Sequence, residues 1–125
     1  MKISDFKVFV SERGNREFDE WLSGLPAGPK AKIKKIITYL EITRIWNRPY
    51  AAKLKTTDKI WEIIAKSNNV QYRPLGCFGP KNGEFTLLIG ATERDRKLEP
   101  INAAKIAEER RKLIFRDERY TDEYY

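Results

Sequence analysis

Lys59-Ile60-Trp61-Glu62-Ile63-Ile64-Ala65-Lys66-Ser67-Asn68-Asn69-Val70-Gln71-Tyr72-Arg73-Pro74-Leu75-Gly76-Cys77-Phe78 is the stretch whose reading decides the fold. From Lys59 to Lys66 the side chains alternate. Trp61, Ile63 and Ala65 fall on one face of a strand, and Ile60, Glu62, Ile64 and Lys66 on the other. Ser67-Asn68-Asn69 predicts a hairpin turn, because Asn tolerates positive φ. Val70 to Phe78 then runs back as a second strand, with Pro74 confined to a place where the ladder needs no N–H donor. Asn82-Gly83 predicts another tight turn, after which Glu84 to Thr92 forms a final, strongly apolar strand. Consecutive hairpins make a three-strand antiparallel meander.

Upstream, Phe6, Val8 and Val10 alternate with Lys7 and Phe9, which predicts a first strand. Asn15 is placed to cap a short helix burying Phe18, Trp21 and Leu22. Pro29 suits the first turn of a second helix, from Lys30 to about Trp46. There Ile33, Ile36, Ile37 and Leu40 repeat at helical spacing, and Lys30, Lys32, Lys34 and Lys35 make a basic outer side. Downstream, Asn102 opens a last helix to about Phe115, with Ala103, Ile106, Ala107, Arg110 and Ile114 at helical offsets. The expected fold class is α+β. A small antiparallel sheet, the N-terminal strand plus the meander, carries two N-terminal helices and one C-terminal helix on one side. Residues 1–115 read as one domain, and 116–125 as a charged, Tyr-rich, loose tail.

Composition narrows the partners. The 125 residues carry 25 Lys and Arg against 18 Asp and Glu, a net charge of +7 that attracts polyanions. Nucleic acid is therefore the first partner to consider, ahead of an acidic protein or a membrane surface. His is absent, which removes every mechanism that needs imidazole. Cys77 is the sole cysteine, so neither an intrachain disulfide nor a cysteine zinc cluster can form, and a small core residue is its expected role. The longest apolar run, around Leu87 to Ile89, is far short of the roughly 20 residues of a membrane span. No signal-peptide stretch is read in Met1-Lys2-Ile3-Ser4-Asp5, and a reducing cytoplasm is the expected setting.

Trp61-Glu62-Ile63, Tyr72-Arg73-Pro74-Leu75 and Leu87-Leu88-Ile89-Gly90-Ala91, followed by a basic loop, Pro100 and Ala104, form an ordered set. In order and spacing it resembles the RelE/ParE toxin superfamily, in particular its phage-derived, HigB-like branch. Phe18, Trp21, Leu22, Leu25, the adjacent Lys53-Leu54 and the closing helix agree, so the resemblance covers about Phe6 to Phe115. It implies a RelE-like fold and the toxin of a type II toxin-antitoxin system. Such a toxin is a metal-independent, cofactor-free endoribonuclease that cuts messenger RNA on the ribosome and is restrained by a small helix-turn-helix antitoxin. A homodimer is a further assembly to consider. The reaction has the RNA's own 2′-hydroxyl attack the neighbouring phosphate, so preorganised cations must stabilise the added negative charge. Acid-base help would come from Lys, Tyr or Glu.

The resemblance assigns Arg73, in the Tyr-Arg pair, to the phosphate, with Arg94 as a second phosphate ligand. Tyr72 would stack on a base or pack, and Lys53, Lys55, Lys59, Arg96 and Lys97 would hold the RNA backbone. Glu62 and Glu93 are expected in ion pairs rather than in catalysis. One departure bears on activity. The family commonly has an Arg where this chain has Ile64, and an apolar side chain cannot bind phosphate. Lys66, on the same strand face, is the expected substitute, although it offers a point charge instead of a bidentate fork. Two alternatives stand beside the nuclease: a catalytically weakened or inactive module binding RNA, the ribosome or a partner protein, and a gyrase-targeting toxin of the ParE kind.

Overall fold

The computed structural model describes residues 2–124. Met1 and Tyr125, the outer ends of the expected domain and tail, lie outside the described residues. The fold is mixed α+β, with three helices and two sheets. Strands β1 (Asp5–Phe9), β2 (Ala51–Lys53), β3 (Trp61–Ile63), β6 (Leu75–Phe78), β7 (Glu84–Ile89) and β10 (Thr121–Glu123) form a six-stranded sheet in the order β10-β1-β7-β6-β3-β2. Strands β4 (Ala65–Ser67), β5 (Val70–Tyr72), β8 (Thr92–Arg94) and β9 (Lys97–Glu99) form a four-stranded sheet in that order.

The meander is present, but each of its three strands breaks at one level. Lys59 to Lys66 was expected to be one strand; it divides at Ile64 into β3 and β4. Val70 to Phe78 divides at Arg73-Pro74 into β5 and β6, and Glu84 to Thr92 divides at Gly90-Ala91. Two causes are visible. Pro74 has no ladder donor to give. At Gly90 the Trp21 indole lies where a side chain would be, so near that a Cβ would stand 2.0 Å from the ring. Bonds between Arg73 and Ala91, at 2.7 and 3.2 Å, still bridge the break, so the two sheets are halves of one bent meander. The Asn68-Asn69 turn forms as expected, with φ of 50° and 64°. Asp95 and Arg96 make a second such turn, φ 50° and 67°, and convert the expected basic loop into the β8–β9 hairpin.

The sheet is also not purely antiparallel. β1 pairs parallel with β7, because two helices rather than a hairpin connect β1 to the meander. Nor do the helices share one side. On β1, Phe6 and Val8 join a core with Phe18 and Leu22 of α1 (Glu17–Ser23) and with Ile33, Ile37 and Leu40 of α2 (Ala27–Glu41). Phe9, one residue on, joins a second core with Ala103, Ala107 and Ile114 of α3 (Ala103–Arg116). Neighbouring strand residues point to opposite faces, so α1 and α2 cover one face and α3 the other. α2 ends at Glu41, five residues before the expected Trp46. That indole folds back instead, and its Nε1 donates to the carbonyls of Leu40 and Thr43. Cys77 is buried in the second core, where burial pushes its thiol up to about 12.

The expected loose tail is docked. Tyr120 is buried and stacks on Phe9, and β10 pairs antiparallel with β1 through Lys7, Val8 and Phe9. Side-chain alternation missed this because Thr121-Asp122-Glu123 is polar throughout; the strand is held by its ladder and by neighbouring aromatics.

At Gly76, a Cβ would meet the Phe85 ring and the Thr86 carbonyl oxygen, each at 2.5 Å. A backbone oxygen inside a sheet cannot withdraw. Gly76→Ala should therefore lose about 1–3 kcal/mol, the usual cost of overpacking, in a denaturant melt. An unchanged midpoint would show that β6 and β7 can spread.

Candidate functional site

Arg73 lies at the bend between the sheets, and each of its three guanidinium nitrogens has a partner. Nη1 donates to Glu62 Oε1, Nε donates to Gln71 Oε1 at 3.1 Å, and Nη2 reaches both Gln71 and Glu93, the latter at 3.2 Å. The Arg73 and Glu62 side chains are only 12% and 6% exposed. Burial raises the Glu62 carboxyl above its ordinary value, against the lowering pull of Arg73 and, to a lesser extent, Arg48; Glu93 raises it further. Two carboxylates thus face one guanidinium, leaving the cluster a formal negative charge. Arg73 ties β3 of one sheet to β5 and β8 of the other. Its donors are directed at Glu62, Gln71 and Glu93, so a phosphate at the expected place would have to displace one of them. Glu62 and Glu93 take the ion-pair roles expected of them.

Register decides what can stand beside Arg73. Lys66 is opposite Gln71, which is opposite Glu93, so these three share the Arg73 face of the four-stranded sheet. Arg94 follows Glu93 and hence points to the other face, where it pairs with Glu99 at 3.7 Å. The expected convergence of Arg73, Arg94 and Lys66 on one phosphate does not occur. Tyr72 is on the Arg94 face but deeper, buried at 8% exposure in the core that α2 covers. It packs and is not available to stack on a base. Ile64, where the family carries Arg, is buried at the break and is not on a continuous strand with Lys66. Lys66, Arg96 and Lys97 are exposed, Arg96 in the β8–β9 turn and Lys97 at the start of β9.

The lysines expected to hold RNA backbone fare differently. Lys53, at the end of β2, and Lys59, just before β3, both line a hollow of about 310 Å³. Its other walls are Trp61, Phe78, Arg111 and Phe115, with Asp58 also in the lining. β2 and β3 are antiparallel neighbours with Lys53 opposite Trp61, and Asp58 and Lys59 of the β2–β3 connection complete this side of the lining. Lys55, in that connection, is exposed but does not line the hollow. None of the three lysines makes an ion pair among the described residues. Arg111 pairs with Glu108 at 3.1 Å on its own helix. Sequence reasoning missed Phe78, Arg111 and Phe115. Phe78 reads as one more apolar strand residue, and Arg111 and Phe115 come from α3, more than 50 residues beyond Lys53.

No family model, curated protein or solved structure matches this chain. Among the described residues, no helix is long and apolar enough to cross a membrane.

Proposed function

We propose that this chain is an RNA-binding protein of the toxin-antitoxin kind, acting by contact with messenger RNA rather than through a phosphate cradle centred on Arg73. The observation that carries this reading is the gathering of Lys53, Lys59 and Arg111 around one hollow on a chain of net charge +7. Lys53 and Lys59, at the two ends of the short β2–β3 connection, and Arg111 from the distant α3 give a polyanion a common place to bind. The resemblance supplies the wider setting: the ribosome as the place of action, no cofactor, and a small helix-turn-helix antitoxin as the restraining partner. A reading frame for such an antitoxin beside this gene would support that setting.

A short labelled RNA tests the binding. Affinity should fall as salt rises, and Lys53→Ala/Lys59→Ala should make the slope of log K against log salt shallower by roughly 1.4. That figure is two single-strand phosphate contacts at about 0.7 each. Absence of binding, or an unchanged slope in the double variant, would count against the assignment.

RNA cleavage is a second reading, favoured by one observation. The exposed Lys66 and the part-exposed Glu93 both stand opposite Gln71 and so share one face of the four-stranded sheet. A proton acceptor and cations are what 2′-hydroxyl attack requires. Growth arrest with cut messages on induction would favour it, and harmless expression with intact messages would leave binding alone.

A further inference from the structure

Resting on the RNA-binding reading, we propose that the hollow beneath the β2–β3 connection is a stacking site for one unpaired nucleobase, with Lys53 and Lys59 holding its flanking phosphates. Phe78 and Phe115 are 44% and 50% exposed, although 34% of the chain is charged and could have covered this surface. Phe78 packs its inner side on the buried rings of Trp46 and Phe85, at 4.8 and 5.0 Å, and like Phe115 it leaves its outer side to solvent. The rings are arranged, not scattered. Trp61 and Phe78 meet nearly at right angles, with centroids 5.5 Å apart and planes at 85°, and Trp46 touches both from the core side, so the two rings are held in fixed positions at the edge of the hollow. Phe115 sits on Gly79, where a Cβ would come within 2.6 Å of the ring, so the bare backbone is its seat. The Arg111 guanidinium lies 5.7 Å from the centroid of Phe115, a cation–π arrangement that a stacked base extends.

The chemistry of the lining points to a nucleobase rather than to a plain anion or an apolar ligand. Lys53 and Lys59 suit phosphate, the three rings suit a π-face, and Asp58 can accept a hydrogen bond from a ring N–H or an exocyclic amine. About 310 Å³ is at the small end of ligand pockets and suits one base. A duplex keeps its bases stacked inside the helix and cannot offer one to the exposed Phe115 ring, so the site selects single strands.

The test uses a labelled 12-nucleotide RNA without self-complementarity, the same strand annealed to its complement, and unlabelled UMP and AMP as competitors. Phe115→Ala should weaken single-strand binding about 5- to 150-fold, the effect of losing one stacked base, while leaving the salt slope and duplex binding unchanged. Phe115→Trp should bind as the parent chain does. Should Phe115→Ala fail to fold, Phe115→Leu keeps an apolar contact with Gly79, removes the π-face and serves the same comparison. Wild-type affinity in Phe115→Ala or its Leu substitute would overturn the stacking site. So would duplex binding as tight as that of the single strand, or displacement by mononucleotide at the oligonucleotide's own concentration. A parent chain that binds none of these RNAs would instead overturn the RNA-binding reading, which is a distinct outcome.

Discussion

Replacing Arg73 by Met should lower the free energy of unfolding by about 3–5 kcal/mol, the usual consequence of stranding one partner of a buried ion pair. The loss arises less from the missing attraction than from Glu62, only 6% exposed, left charged with no cation but the weaker influence of Arg48. Glu62→Leu in the same chain should recover more than half of the loss, because the group that needed compensation is gone and Ala52 and Leu75, its cross-strand neighbours, are apolar. pH supplies an independent check. The Glu62 carboxyl is already raised in the folded parent chain, and removing Arg73 removes its largest lowering influence. A carboxyl whose folded pKa lies above its unfolded value destabilises the fold at neutral pH. That penalty disappears as pH falls through the folded pKa toward the unfolded value. The deficit of Arg73→Met against the parent should therefore shrink on acidification from pH 7. A deficit that stays constant down to the ordinary carboxylate range, or a double variant whose losses simply add, would show that Glu62 is not the stranded group. Arg73→Ala cannot serve as a clean test of catalysis, since lost activity would follow from lost folding.

The parts of the fold that depend on near neighbours were legible in the sequence. Asn68-Asn69 marks its own turn, and Ile33, Ile36, Ile37 and Leu40 mark the buried face of α2 without reference to anything distant. What could not be read depends on distant partners. The break at Gly90 exists because Trp21, nearly 70 residues earlier, occupies the space beside it. Thr92-Glu93-Arg94-Asp95-Arg96-Lys97 is polar throughout, so no alternation announced β8 or revealed that Glu93 and Arg94 face opposite ways. The site failed in the same manner. A positive charge in the Tyr72-Arg73 pair is visible in sequence, but its neutralisation by Glu62 and Glu93, eleven and twenty residues away, is not. Lys53 and Lys59 survived as candidates because the short β2–β3 connection keeps them close, whereas Arg111 and Phe115 had to be supplied by the fold.

Ending the chain after Arg116 should cost about 3–6 kcal/mol and make the protein associate. Residues 117–125 carry the 3-10 turn Glu118–Tyr120 and β10. With them go the ring of Tyr120, stacked on Phe9 with centroids 6.1 Å apart, and that of Tyr124, 6.2 Å from Phe6. Two large side chains leaving apolar surroundings account for the magnitude, at about 1.5–3 kcal/mol each. The ion pairs Arg16–Asp122 at 2.8 Å and Lys7–Glu123 at 2.6 Å are partly exposed and add little. Association has a separate cause: β10 covers the edge of β1, and its removal presents unpaired N–H and C=O groups to a second molecule. A concentration series in sedimentation should therefore show larger species only in the shortened chain. Tyr120→Ala separates the two effects, because it removes the ring while leaving the β10 ladder; it should lose stability and remain monodisperse. The intact chain carries its own marker of docking. Burial pushes the Tyr124 hydroxyl up to about 12, so one tyrosine should titrate late by absorbance, and the stability its burial confers, present at neutral pH, should fade as pH rises through that value. If the shortened chain unfolds at the parent midpoint and stays monomeric, the last nine residues do not close the sheet, and the polar, unpatterned reading of that segment describes its physical state.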